Sequence, residues 1–303
     1  MTDPVPTPGA SPISIRSLTV RFGKVLAVDR LDLAIAAGSV YALLGRNGAG
    51  KSSLLRALLG LRRPEAGQCL LLGRDPWRQS AELMQHVGVV PEEPEAPPDR
   101  TVRALGTFAS QIYKTWDDEL FTAALARERV PLDRPFGKLS RGQKTLVALA
   151  LALSPRPRVL ILDDPTLGLD PVARRSVLDA LVETLAERPT TVLLATHDLD
   201  AVGRFADRVG FLHQGRLLLD EPLEALRARH RRVTLPLDTS NELVTAWHPL
   251  GERQTAWGHE WLVSAFPDER SDELQSRQEI RLEPLPLDEI FRLQIDEHER
   301  SAA

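Results

Sequence analysis

Eight consecutive residues, Gly45-Arg46-Asn47-Gly48-Ala49-Gly50-Lys51-Ser52, have the spacing of a loop that wraps phosphate groups. The glycines let successive backbone N–H groups turn inward, and a helix starting where the loop ends adds the positive end of its dipole. Lys51 is then placed to neutralise β and γ phosphates. Ser52 is placed to ligate Mg²⁺ through its hydroxyl, and Ser53 extends the binding stretch into the helix. A glycine-rich turn without nucleotide needs neither the lysine nor the serine.

Downstream, the apolar run Val159 to Leu162 delivers Asp163 to the carboxyl end of a buried strand, where a carboxylate can hold a Mg²⁺-bound water. Asp164 follows at once and could orient an attacking water. Alone, an apolar run ending in Asp-Asp is an ordinary strand end with a capping residue; beside the phosphate loop it becomes the second half of a nucleotide site. Leu139-Ser140-Arg141-Gly142-Gln143 stands shortly before that strand. A helix starting after Ser140 would aim N–H groups and its dipole at an anion, although in isolation this is only an N-cap serine.

In this order the motifs resemble the ABC ATPases, with Leu139–Gln143 as the family's signature sequence. Further matches follow the same order: Phe22 resembles the aromatic that stacks on adenine, and Pro91-Glu92 resembles the Q-loop. Gly168-Leu169-Asp170-Pro171 resembles the D-loop that touches a partner subunit, and His197 the switch histidine. The resemblance covers about Ile13 to Pro222. It implies ATP and Mg²⁺ as ligands, with Phe22 and Gly45 to Ser53 on the ATP and Ser52, Glu92 and Asp163 on the metal. Asp164, His197 and Glu92 take the catalytic positions. Leu139, Ser140, Arg141, Gly142 and Gln143 would act on ATP bound by a partner, because the family pairs two such domains head to tail, as homodimer or heterodimer, with Leu169 and Asp170 at the contact. ATP closes the pair and hydrolysis weakens it.

The match has departures. Asp164 stands where the family has glutamate, one methylene or roughly 1.5 Å shorter in reach, and misplacement of that size costs on the order of 100-fold in rate. Slow hydrolysis is therefore expected. Glu92 replaces glutamine and adds charge. Arg141 replaces the first glycine of the signature pair, whereas Gly142 keeps the close backbone approach. Phe22 replaces the commoner tyrosine and keeps the stacking face. The segments Gln111 to Glu119 and Pro286 to Phe291 are similar to those of ABC-2-type exporter ATPases. That likeness implies a separate membrane permease, docked in the groove between a helical insert and the Glu92 loop, and a peripheral place on the cytoplasmic face of the inner membrane. The competing class is a soluble ATP-driven switch acting on a protein partner.

These residues need strands and helices to hold them. Ile13 to Val20 and Leu31 to Ile35 alternate apolar and polar residues, which predicts antiparallel edge strands. Ser39 to Leu44, Val159 to Leu162 and Thr191 to Ala195 are near-continuous apolar runs, as in strands buried on both faces. Ser52 to Leu61 has helical spacing and meets Gly60, a helix stop. Thr101 to Val130 reads as mainly helical, with a helix start at Trp116-Asp117-Asp118. After Ala228 short apolar runs, Val233 to Leu237 and Trp261 to Phe266, alternate with turn residues before an amphipathic helix over Leu287 to Ile295. The expected fold is α/β. By the resemblance it is a P-loop NTPase domain of ABC ATPase type over 13–228, a RecA-like and mostly parallel sheet with an antiparallel β edge and a helical subdomain at about 95–145. A small C-terminal α+β domain over 229–303 follows.

Composition excludes several classes. In 303 residues, 42 acidic side chains against 38 basic ones give a formal net charge of −4, so no global field gathers nucleic acid and none is expected as a partner. Cys69 is the only cysteine, which rules out an intrachain disulfide or a Cys-rich metal centre. Residues 1–12 lack the basic stretch and apolar core of a signal peptide and read as a flexible leader. No run of about 18 apolar residues long enough to span a bilayer occurs, so a membrane role is expected to come through a partner.

Overall fold

The structure, a computed structural model, describes residues 11–187, 189–236, 242–255, 258–267 and 280–302. The leader expected at 1–12 lies outside these apart from Ser11 and Pro12, as does Leu237. The chain forms two compact units, Met1–Leu219 and Asp220–Ala303; the change of pattern at Ala228 falls inside the second.

In the first unit, β1 (Ile13–Phe22) and β2 (Val25–Ile35) pair antiparallel, as their alternating pattern predicts, but in a sheet of their own in which β1 is flanked on both sides, not as the edge of the parallel sheet. β3 (Val40–Leu44) is buried along its whole length and runs through the glycine loop into α1 (Lys51–Leu58). β4 (Ala66–Leu71) returns to the other side of β1, giving the order β2-β1-β4. After α2 (Ser80–Met84) and β5 (Val87–Val90) come three helices, α3 (Val102–Ile112), α4 (Asp118–Arg127) and α5 (Arg141–Leu153). Their starts are set by side chains that accept otherwise unpaired N–H groups. Thr101 Oγ1 accepts from Ala104 N at 3.2 Å, and Asp117 Oδ1 accepts from Leu120 N at 2.9 Å.

β6 (Val159–Asp163), α6 (Pro171–Glu187), β7 (Thr191–Thr196), α7 (Leu199–Phe205), β8 (Arg208–His213) and β9 (Arg216–Pro222) complete a sheet of order β5-β6-β7-β3-β8-β9. From β5 through β8 the pairing is parallel. The period-2 alternation of the buried strands divides the core into two layers. Tyr41, Leu43, Val159, Ile161, Leu193 and Ala195 face a cluster with α1 and the antiparallel strands. Val40, Leu160, Leu162, Val192 and Leu194 face the helical layer with Val147, Leu149 and Val177. A strand covered on both faces must be apolar throughout, which is why these runs could be recognised from sequence.

The second unit contains α8 (Leu223–Arg229), β10 (Arg231–Leu235), α9 (Glu242–Thr245), β11 (Pro249–Thr255), β12 (Gly258–Val263), β13 (Arg281–Pro284) and α10 (Leu287–Ala302). Its antiparallel sheet has the order β11-β12-β10-β13. Val233, Leu235, Val244, Trp247, Val263 and Phe266 form its core, with the Trp247 and Phe266 rings edge to face at 5.3 Å. Arg232 of β10 reaches Glu289 of α10 at 2.7 Å, tying helix to sheet. The helix expected at Leu287 to Ile295 runs on to Ala302, with Ile290 and Ile295 fully buried. Among the described residues, no helix is long and apolar enough to cross a membrane.

Candidate active site

β3 ends in the centre of the parallel sheet and aims the glycine loop at the carboxyl ends of β6 and β7, where open α/β sheets hold ligands. The loop reaches α1 through Gly50, whose φ of +112 suits glycine and at which a Cβ would drive into the Ala27 carbonyl oxygen. α1 has no side-chain cap and no acidic residue in its first turn, so its N–H groups face the loop for an anion. Lys51 is only 6% exposed. Its Nζ donates to the Gly45 carbonyl at 2.7 Å and lies 3.7 Å from Asp164 Oδ2.

Asp164 is the other hub. It sits just past β6 with a φ of 42, a left-handed conformation that Asp tolerates better than most residues. Its N–H donates to the Ala195 carbonyl at 2.8 Å. Its Oδ1 accepts from Thr196 Oγ1 at 2.7 Å, His197 N at 3.1 Å and His197 Nδ1 at 2.9 Å. A carboxylate only accepts, so Nδ1 carries the proton and Nε2 is left as the outer nitrogen of the ring. Asp163 accepts a hydrogen bond from Ser52, yet burial first, then the neighbouring Glu92 and Asp164 carboxylates, raise its pKa above the ordinary range. Negative charge therefore converges beside the Ser52 hydroxyl.

A cleft of about 380 Å³ is lined by Phe22, Val25, Ala27, Arg46–Ser53, Glu92 and Asp164. Gly45, Asp163 and His197 adjoin it through Lys51, Ser52 and Asp164. Phe22 is 37% exposed, with the Arg62 guanidinium 4.5 Å from its ring centroid, a cation–π contact on one face. None of Leu139–Gln143, Leu169 or Asp170 lines this cleft. Ser140 caps α5 in a capping box, its Oγ accepting from Gln143 N at 3.2 Å while Gln143 Oε1 accepts from Ser140 N at 3.2 Å. Asp170 caps α6, accepting from Val172 N at 3.0 Å and Ala173 N at 2.9 Å. A larger cavity of about 850 Å³ lies among residues that lead into the amino ends of β3, β6 and β7. It holds none of the chemical motifs.

Sequence reasoning missed Arg62, Thr196, Asp198, Thr166 and Arg174. Thr196 had a signal, a hydroxyl at the end of an otherwise apolar strand beside His197. Asp198 and Thr166 lie beside His197 and Asp164 in sequence but bond to each other across 32 positions, and Arg62 and Arg174 reach their partners from separate segments.

A phosphate cradle after an inner strand of a mostly parallel sheet, with carboxylates at the end of β6, one strand removed from it, defines a P-loop nucleotide-binding protein. The chain belongs to the ATP-binding proteins of ABC transporters. The ABC transporter family model matches residues 28–167. The bacitracin transport ATP-binding protein BcrA of Bacillus licheniformis is 32% identical over 225 residues, 73% of this chain and 72% of that protein. The Nod factor export ATP-binding protein I of Rhizobium sp. strain N33 is 31% identical over 290 residues, 92% of this chain and 95% of that one. The solved structure of cbiO1 from Clostridium perfringens, part of the ABC transporter complex cbiONQ, is 32% identical with a TM-score of 0.61, covering 70% of this chain and 89% of that one.

Proposed function

We propose that this chain is the ATP-hydrolysing subunit of a bacterial ABC-2-type exporter. It works as a dimer and drives a separate membrane permease from the cytoplasmic face of the plasma membrane. The observation that carries the reading is the buried Lys51 ammonium at the floor of the loop, facing Asp164 across 3.7 Å. A desolvated cation beside uncapped helix N–H groups is a prepared seat for phosphate. Lys51 neutralises the β and γ phosphates, the α1 N–H groups cradle them, and Phe22 offers the ring face away from Arg62 to adenine.

Ser52, Glu92 and Asp163 would hold Mg²⁺; bound there, the metal supplies neutralisation of phosphate charge. The raised pKa of Asp163, set by burial first and then by the Glu92 and Asp164 carboxylates, fits this, since a bound cation offsets both. Asp164 would orient the attacking water and His197 would meet the γ phosphate, a role supported by the bond that joins them.

The dimer is supported by the Ser140 end of α5, which is exposed and does not line the chain's own cleft. A second copy, or a related chain, would bring its Ser140 to this ATP. Export and a permease are supported by the relatives named for bacitracin transport and Nod factor export, and by cbiO1 as part of a transporter complex. Hydrolysis is slow because Asp164 is short and its Oδ1 is already engaged threefold. An ATP switch with little turnover is the second reading, favoured by that same engagement. The test is Mg²⁺-dependent ATPase rate of the purified chain against its concentration, with Lys51→Ala as blank. A rate per chain that rises with concentration supports the dimeric motor. ATP binding without Lys51-dependent turnover, even at high concentration, points to the switch.

A further inference from the structure

The carboxylate next to His197 is tied into three segments. Asp198 is 8% exposed. Its Oδ1 accepts from Ala201 N at 3.1 Å, capping α7, and from the guanidinium of Arg174. Its Oδ2 accepts from Thr166 Oγ1 at 2.8 Å, and its own N–H donates to Thr196 Oγ1 at 2.9 Å. That same Thr196 hydroxyl donates to Asp164 Oδ1. Thr166 follows Asp164 by two residues, and Arg174 lies in the first turn of α6, just after Gly168–Pro171. A helix cap alone needs one exposed acceptor; burying a charge and matching it with an arginine from another helix goes beyond that.

The segment held this way also bears on Ser140's helix. Gly168, with φ +68, sits under Arg141, and a Cβ there would be 2.6 Å from Arg141 Nη1. Gly142 is as tight, its added Cβ falling 2.7 Å from that of Ala173. A continuous set of bonds and close packing thus runs from Lys51 and Asp164, through Thr196, Asp198 and Arg174, to Gly168 and the start of α5.

We infer that Asp198, braced by Arg174 and Thr166, is a positioning residue for ATP hydrolysis. It fixes the strand end bearing Thr196 and His197 against the Gly168–Pro171 turn, so that Asp164 is held to one geometry and a shift at the hydrolysis site is passed to the chain's own Ser140 helix. The inference rests on the ATPase reading above.

The full-length chain tests it. Asp198→Asn keeps the cap acceptor and the size but removes the charge that Arg174 matches; Arg174→Gln removes the other side. Steady-state kcat and KM, affinity for a fluorescent ATP analogue and thermal midpoint are read for both, for the double variant, for Arg174→Lys, and for Arg175→Ala on the same helix. Expected is a fall in kcat of about tenfold or more in each single variant with KM and affinity within about twofold, since the phosphate cradle is untouched. The double variant falls no further than either single, because paired groups act as a unit. Arg174→Lys recovers part of the loss and Arg175→Ala is neutral. Unchanged kcat in Asp198→Asn and Arg174→Gln, or a loss that merely tracks a lowered midpoint, overturns the positioning role while leaving the ATPase reading intact. If Asp198→Asn fails to fold, Arg174→Gln and Thr166→Val decide. Wild-type chain without Lys51-dependent turnover removes both readings.

Discussion

The two compact units treat buried titratable groups in opposite ways. In the first, Lys51, Asp164 and Asp198 are each less than 9% exposed and each faces an opposite charge or several donors. In the second, His230 is fully buried, with Nδ1 2.7 Å from the Leu226 carbonyl and Nε2 3.5 Å from Gln294 Nε2. Burial pushes its pKa down to about 4, so it stays neutral near pH 7. Around the cleft of the first unit the buried groups keep their charge by pairing, whereas the fully buried imidazole of the second unit is held neutral. The first unit thus holds paired, desolvated charges around its cleft, and the second is an α+β core around Val233, Trp247 and Phe266.

The sharpest way to break this contrast is to remove the charge that defines it. Lys51→Ala should abolish Mg²⁺-dependent ATP hydrolysis, a loss on the order of 100- to 1000-fold, without lowering the stability of the second unit. A variant that hydrolyses ATP at the wild-type rate, measured by phosphate release, would show that the buried ammonium is structural.

Next in size is Asp164→Glu. It restores the missing reach, so kcat should rise by up to about 100-fold. Because Asp164 is buried and left-handed, the extra methylene should also lower stability by about 1 to 3 kcal/mol. No rise in turnover at saturating ATP would count against slow hydrolysis by a short side chain.

The second unit offers the complementary test. His230 has a folded pKa of about 4, below that of a free histidine. Between those values the unfolded chain binds a proton that the folded chain does not, so stability is full above pH 6.5 and falls as pH drops toward 4. From pH 7 to pH 5 the loss is about 2 kcal/mol. Urea unfolding at both values should show it in wild type and not in His230→Gln, and equal slopes in the two proteins would remove this account of His230.

The smallest effect belongs to the surface helix start. Ser140→Ala removes one half of a capping box and should cost about 1 kcal/mol of stability by thermal melting. If the loss of hydrolysis far exceeds that stability change, Ser140 acts on ATP as well as on its own helix.

Much of this was legible in advance. The phosphate loop declares itself because its glycines, Lys51 and Ser52 act within eight consecutive residues, and the buried strands do so because a strand covered on both faces cannot alternate. Thr101, Asp117 and Ser140 could be read or inferred as helix starts from the next few residues. Arg62 on Phe22, 40 residues away in sequence, could not, and neither could the side on which Asp164 spends its hydrogen bonds.

By itself, then, the sequence determined the cradle, the strand-to-helix order and the family, since hydrogen bonds of loops and caps and the periods of strands and helices are set by near neighbours. Only the tertiary structure decided that Thr196, His197 and Lys51 converge on Asp164, that Arg174 and Thr166 meet at Asp198, and that Ser140 lies outside the chain's own cleft. Those contacts join residues 24 to 113 positions apart or separate elements of one layer. Such pairings follow from the order of strands in the sheet and the packing of helices on it, which no local pattern records.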